Sequence, residues 1–468
     1  MSDYVSDESG PDAQPIERLE QLVEHFARGA KPREEWRIGT EYERLAVDRR
    51  SGRAIPFSGP RGVEAILRGL ADRYGWEPQE EGGRIIGLKR SGGEITLEPG
   101  GQLELSGQPH ESVHQARVEL ERHVEEVQSI TSELDVAILG LGMQPFSTLD
   151  EIEWVPKRRY AIMGPYMRKV GSLGQRMMKQ TATVQVNLDF SSEKDAIEKM
   201  RTATGIGPIV NAIFANSPIC DGAPNGFLSY RAHVWTDTDP ARTGLLPFLF
   251  DPGASFERYA EWALDAPMYF VKRKGDYVDM TGVPFRRFWR EGANGLRATV
   301  GDFALHLSTL FPEVRLKTYI ELRMTDSQPH ETMLGLPAIA KGVLYEPDCL
   351  QAAWDLVKGL SLAERLEVHR AVPAMALAAP IKRYRIGDLA RELLAIAEEG
   401  LRRQGLRDAG GATEAIYLEP LHELVRSGKT RAERLLAEWE RTWERRSERF
   451  AETAAYGRTL TDRERSAS

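Results

Sequence analysis

The sequence predicts an α+β fold, and three observations carry that expectation. Four segments, Arg37 to Val47, Glu94 to Leu105, Thr181 to Phe190 and Arg315 to Thr325, alternate with the period of two that a strand imposes. After about Pro347 the apolar spacing is almost wholly that of helices. No internal repeat or low-complexity linker interrupts the chain, so residues 16–455 are expected to form one folded unit, helical from about 347, between tails at 1–15 and 456–468.

Each element follows from its residues. Ile16 to Ala27 is amphipathic and leads into the first strand, and a second helix, about Arg61 to Tyr74, follows a Pro/Gly turn. Glu94 to Leu105 reads as two short extended pieces broken at Pro99-Gly100-Gly101, ahead of a long helix over Glu111 to Leu134. Pro156 to Arg176 mixes glycine, basic residues and methionine without periodicity, which predicts a mobile loop over a site. Asp221 to Thr243 is turn-rich, and Phe256 to Leu264 is helical. Asp388 reads as the N-cap of a helix through Glu399. The last helix, about Thr430 to Glu452, carries Leu436, Trp439, Trp443 and Phe450 near one face, a stripe expected to pack.

Composition removes several function classes. With 468 residues, 41% hydrophobic, the chain can bury a large core, and no stretch nears the roughly 20 apolar residues of a membrane-spanning helix. A net charge of −8 argues against non-specific nucleic-acid binding, because a polyanion needs a basic surface to displace its counterions. Residues 1–15 are acidic and polar, unlike a secretory signal, so a disordered tail and a cytoplasmic location are expected. Two cysteines, Cys220 and Cys349, read as free thiols.

The four strands each carry a polar face. Glu41 shares one with Glu43, and Gln102 with Glu104, with Glu98 just before the glycine turn. Thr181, Thr183, Gln185, Asn187 and Asp189 line one side of the third. Arg315, Lys317, Tyr319, Glu321 and Arg323 share one face of the fourth. A solvated outer face alternates in the same way, but it mixes residue types without preference, whereas here carboxylates dominate two strands and cations flank a glutamate on another. Glu41, Glu43, Glu98, Glu104 and Glu321 are therefore candidate ligands for two or three magnesium ions, which take oxygen donors. Arg315, Lys317 and Arg323 are candidate phosphate contacts, and the set suits phosphoryl transfer.

Three other motifs compete. His110-Glu111-Ser112-Val113-His114 matches the zinc-protease pattern, with Glu133 downstream, but it sits at a helix start on a face continuing into Arg117 and Glu121. Ser427-Gly428-Lys429-Thr430 resembles the end of a P-loop, yet Glu423 stands where the earlier glycine belongs. Gly140-Leu141-Gly142 meets Pro145 where a dinucleotide fingerprint needs glycine or alanine.

At these strands the sequence resembles the plant and proteobacterial type of glutamate–cysteine ligase. The matching segments are RIGTEYERL at 37–45, IIGLK at 85–89 with LEPGGQLELSG at 97–107, TVQVNLDFS at 183–191, NGFLSYRAHVWTDTD at 225–239, Arg242 to Phe250, Pro267 to Val271 and FPEVRL at 311–316. The resemblance implies a ligase catalytic domain of glutamine-synthetase-like fold, with a curved antiparallel sheet forming a funnel and helices outside. It implies ATP-dependent joining of the glutamate γ-carboxylate to the cysteine amine, the first step of glutathione biosynthesis. The alternative is a related carboxylate–amine ligase with a different acceptor.

By position, Glu41, Glu43, Glu98, Glu104 and Glu321 resemble the family's metal ligands. Gln185, beside Asn187, resembles a neighbour of metal or nucleotide. Arg159 and Arg231 resemble the cations that grip substrate carboxylates, and Arg323 the one that steadies the transferring phosphoryl group. Trp235 and Tyr269 resemble residues that shape the amino-acid pocket. Arg117 and Leu334 stand where plant members carry redox-sensitive cysteines, so that switch is expected to be absent. Feedback inhibition by glutathione and a monomer or weak homodimer complete what the resemblance implies.

Overall fold

A computed structural model of the chain describes residues 13–441, 446, 447, 449 and 450. Its centre is β1 (Ile38–Asp48), whose first ten residues are all buried. A strand covered on both faces needs layers on each side, and its length lets it serve two sets of neighbours. Around it stand β2 (Glu77–Glu81), β3 (Arg84–Arg90), β4 (Gly93–Leu97), β5 (Leu103–Gly107), β6 (Val136–Leu139), β7 (Val184–Leu188), β8 (Val314–Leu316) and β9 (Ile320–Leu322). They form one sheet in the order β8-β9-β7-β1-β5-β4-β3-β2, with β6 paired to the end of β1. Every pairing in this sheet is antiparallel, as an α+β fold requires.

The register places the polar residues side by side. Glu41 lies between Ser106 on β5 and Gln185 on β7, and Glu43 lies opposite Glu104. Glu321 pairs with Asn187 on one side and Arg315 on the other. Between β4 and β5, Gly101 takes a left-handed φ of 85° that a side chain disfavours. Its amide donates to the Glu98 carbonyl at 2.9 Å, closing the tight turn that sets Glu98 beside the strands.

Helices cover the sheet. The helix α1 (Val113–Glu133) opens with a capping box between Ser112 and Gln115. Across the polar face lie α2 (Arg158–Val170), α3 (Gly174–Gln180) and the short α4 (Tyr230–Trp235). The C-terminal part from Pro347 onward is helical apart from a short antiparallel pair, Pro380–Ile381 with Tyr384–Arg385, and includes α5 (Leu362–Met375) and α6 (Ile386–Gln404). It is tied to α1 by the buried pair Lys341–Glu414 at 2.5 Å, whose carboxylate also accepts from the Val113 amide at 2.6 Å.

Several elements differ from their sequence reading. Arg315 to Thr325 is not one strand but the hairpin β8–β9, turning at Lys317–Tyr319, so Arg315 faces Glu321 across the pair instead of following it along a face. The region expected as a loop over the site is two helices, α2 and α3, with Pro165 inside the first. Gly164, Pro165 and the basic and methionine residues hid a helical pattern whose buried side is Tyr160, Met163 and Met167. Asp388 lies in the first turn of α6 rather than capping it, and accepts from the Arg385 amide at 3.0 Å. The final helix is described over Arg431–Arg441, where Trp439 packs against Phe146. Trp443, residues 1–12 of the tail expected at 1–15, and the tail at 456–468 lie outside the described residues, whereas Pro15 bridges Thr299 and the Gln14 carbonyl accepts from the Val300 amide at 3.0 Å.

Candidate active site

Burial decides between a solvated sheet face and a site. Glu41 and Glu43 are 8% exposed and Glu104 is fully buried, so their shared face is an interior one. Glu43, Glu98 and Glu104 offer carboxylate oxygens within 4.8 Å of one another, the one such group of three among the described residues. Burial first, then the Glu98 and Glu104 carboxylates, push the Glu43 carboxyl well above its usual range, against the opposing pull of Arg231. Burial likewise raises Glu104, with Glu41 and Glu98 adding to it. Like charges gathered out of water are costly, and a hard divalent cation with oxygen ligands relieves that cost. The donor set therefore fits magnesium.

Neighbours hold the trio in place. The Thr183 amide donates to one Glu43 oxygen at 3.1 Å and Gln185 Nε2 to the other at 3.2 Å. Ser106 Oγ donates to Glu104 at 2.9 Å, and Asn187 Nδ2 to Glu41 at 3.0 Å. Gln185 and Asn187 thus orient carboxylates, and Gln185 Oε1 also accepts from Arg323.

Glu321 stands in a different cluster. Both its oxygens accept from Arg315 at 2.6 Å, Arg323 adds a contact at 2.6 Å, and Lys317 Nζ lies 3.7 Å away. Burial alone would raise this carboxyl, but Arg315, Lys317 and Arg323 hold it well below its usual range. The metal role expected of Glu321 does not fit this geometry, because its oxygens are already engaged by guanidinium groups. Arg315 likewise departs from a phosphate contact: it is 1% exposed and spends its remaining donors on the Ser308 and Leu310 carbonyls. Arg323 is left as the cation of the hairpin that faces the trio's cavity, which it lines together with Glu43, Glu98 and Gln185.

Arg231 and Trp235 line the same cavity. Burial draws the Arg231 guanidinium down to about 10, an unusual cost for an arginine and one an anionic ligand would offset. Its position depends on Asp326, which the sequence reading missed. Asp326 accepts from the Asn216 amide and Ser217 Oγ at 2.7 Å and from Ser229 Oγ at 2.8 Å. Ser229 caps α4, and Ser217 Oγ accepts from the Arg231 amide at 3.1 Å. No strand alternation flags Asp326, since it lies just past β9, and its burial shows only in the structure.

Arg159 is buried on α2, donates to Tyr160 Oη at 3.1 Å, and acts with Lys157 on the charge of Glu98. Tyr269 is displaced from its expected pocket role. It is fully buried, lies under the Arg242 guanidinium at 4.0 Å and meets Tyr166 edge-on, so it supports α2 from behind.

The zinc pattern dissolves in three dimensions. His110 pairs with Glu119 at 3.1 Å, His114 with Tyr417 at 2.7 Å, and Glu133 with Arg73. Cys220 and Cys349 are free and buried, and Gly428 and Thr430 form the turn between the last two helices.

Residues 37–453 match the model of glutamate-cysteine ligase family 2. The chain is 45% identical over 429 residues to glutamate–cysteine ligase B, chloroplastic, of Oryza sativa subsp. japonica, covering 91% of this chain and 85% of that one. It is 43% identical over 433 residues to the chloroplastic glutamate–cysteine ligase of Arabidopsis thaliana, covering 92% and 81%. A solved glutamate–cysteine ligase from Francisella tularensis in complex with AMP shares the fold at a TM-score of 0.55 and 15% identity, covering 92% of this chain and 91% of that one. The cytoplasmic location expected from residues 1–15 is overturned by the plant relatives, whose names place them in the chloroplast.

Proposed function

Since the chain belongs to glutamate-cysteine ligase family 2, we propose that it joins the γ-carboxylate of L-glutamate to the amine of L-cysteine, cleaving ATP to ADP and phosphate and giving γ-glutamylcysteine, the first step of glutathione synthesis. The observation that carries this reading is the trio of buried Glu43 and Glu104 with half-buried Glu98, beside Arg323 and Arg231. Anionic oxygen ligands and cations on one cavity wall are what a reaction between two anions, a carboxylate and a triphosphate, requires.

The residues divide the work. Arg231 binds the substrate α-carboxylate and aligns the γ-carboxylate, with Arg159 beside Glu98 as a second cation. The γ-carboxylate attacks the terminal phosphorus of ATP, ADP leaves, and an acyl phosphate results. Arg323, steered by Glu321 and Gln185, neutralises charge on the transferring phosphoryl group. The cysteine amine then attacks the acyl carbon, phosphate departs and the amide remains. Glu43, Glu98 and Glu104, with Glu41 adjoining, would hold magnesium, two or three ions, which would supply neutralisation of negative charge there. Helices α2 and α3, rather than a loose loop, keep water from the acyl phosphate. Glutathione, which shares the γ-glutamyl group, would compete at the same wall, and the chain acts as a monomer or weak homodimer.

The test is turnover of purified protein with glutamate, cysteine and Mg-ATP, with mass analysis of the product. Formation of γ-glutamylcysteine with one ADP per amide is expected; absence of glutamate-dependent ADP release would falsify the reading.

A further inference from the structure

The turn that carries Glu98 is fastened to helix α3 by a side chain outside the carboxylate set. Gln102 lines the cavity with Glu43 and Glu98 and is 2% exposed, yet its amide is engaged within the protein. Its Nε2 donates to the Met178 carbonyl at 3.2 Å and the Thr181 carbonyl at 2.8 Å, and its Oε1 accepts from the Gly100 amide at 2.9 Å. The last four carbonyls of a helix have no partner inside it, and those of α3 are met from outside its ladder. Met177 accepts from Thr181 Oγ1 at 2.6 Å and Gln180 from the Gln144 amide at 2.8 Å, which leaves Met178 to Gln102. The fourth, Lys179, lies so close to the turn that a methyl group on Gly100 would come within 2.1 Å of its oxygen. With no room between the two backbones, a shift of α3 displaces the turn.

The other end of α3 is fastened as well. Just before it, the Leu173 amide donates to the Asp237 carbonyl at 3.0 Å and the Ser172 hydroxyl to the Asp237 carboxylate. A methyl group on Gly171 would come within 2.3 Å of the Thr238 carbonyl oxygen. Asp237 and Thr238 follow directly on α4, the helix of Arg231 and Trp235. We propose that Gln102 is a positioning residue: by capping α3 it holds Glu98 in place beside Glu43 and Glu104 for a divalent ion, and it ties that ion's site to the helix bearing Arg231. Both of its N–H groups are taken by backbone carbonyls, so it acts on Glu98 through the turn and not on a ligand. This role rests on the ligase reading above and adds a residue that sets the ion's affinity without touching the ion. Groups that orient a metal's ligands in this way are typically worth about 10–100-fold in metal affinity or activity.

The experiment reads ion binding apart from turnover. Manganese, which like magnesium takes oxygen ligands, is titrated into the whole protein and the free ion is followed by electron paramagnetic resonance. Steady-state kinetics then gives the magnesium half-saturation and the glutamate KM. Gln102→Met keeps the side-chain length and removes all three hydrogen bonds; it is expected to weaken manganese binding about tenfold or more and to raise the magnesium half-saturation by a similar factor, with kcat recovered at saturating magnesium. The glutamate KM is expected to rise with it, because α3 also braces α4. Where Gln102→Met does not fold, Gly100→Ala, which forces the turn off α3 from the other side, is expected to give the same loss. Gln144→Met is the control: an equally buried glutamine, bonded to Gly52, Phe146 and Ser147, whose loss is expected to lower stability but leave manganese binding within about twofold. Manganese binding unchanged in the folded variant, or weakened as much by Gln144→Met, overturns the assignment. Wild-type protein whose manganese binding depends on Gln102 but which releases no ADP with glutamate sinks the ligase reading and leaves the role of Gln102 standing.

Discussion

Two buried clusters of charge sit on one sheet and are built in opposite ways. In the Glu43–Glu98–Glu104 trio, carboxylates crowd one another and two of them are driven toward protonation. In the Glu321 cluster, three cations surround one carboxylate and hold it ionised. The first cluster is electrostatically incomplete without a bound cation; the second is complete within the chain. The contrast teaches that burial of charge alone does not mark a catalytic group: what matters is whether the protein supplies the counter-charge itself or leaves it to a ligand.

The comparison breaks most readily at Glu43. Glu43→Gln is expected to lower turnover by about 10²–10³-fold, the scale of losing a transition-state contact, while the ligand-free protein keeps or gains thermal stability because a repelling charge has gone. Chelation of divalent ions in the wild type is expected to abolish turnover, and magnesium to restore it. Glu321→Gln is expected to do the reverse in stability: Arg315, Lys317 and Arg323 lose their partner, a cost of about 3–5 kcal/mol that a denaturant titration reads. Loss of stability in both variants would erase the distinction.

pH sharpens the same contrast. The Glu321 carboxyl titrates well below its ordinary range, so its unfolded form binds a proton before its folded form does. Its stabilisation is present above the usual carboxylate range and is lost as pH falls through the depressed value. Glu321→Gln is expected to flatten that part of the acid-unfolding curve. A smaller effect belongs to Asp326→Asn, which loosens the seat of Arg231: the glutamate KM is expected to rise about tenfold, the worth of one charge-assisted hydrogen bond, with kcat little changed. Smallest of all, reductant is expected to leave activity nearly unchanged, because Cys220 and Cys349 are free and buried.

The strands and the polar character of their shared face were legible because alternation is a local property. Glu41, Glu43 and Glu104 came from spacing, and the register then brought Glu43 opposite Glu104. Glu321 misled for a physical reason: a strand and a hairpin with a three-residue turn show the same alternation up to the turn, and only the pairing reveals that Arg315 lies across from Glu321. Helix α2 was concealed by Gly164 and Pro165, which lower helix propensity while tertiary packing of Tyr160 and Met163 overrides it. Asp326 was beyond sequence reasoning, since its partners lie 97–110 residues away.

The way β1 is pinned has a consequence for synthesis. Ser327 Oγ donates to the Glu43 carbonyl at 2.6 Å across a sequence separation of 284 residues, and Gln185 reaches Glu43 across 142. A chain emerging from the ribosome therefore carries its first acidic strand long before the segments that flank it exist. Closing such long loops is slow, so the nascent polypeptide is expected to depend on chaperones until residue 327 has been released.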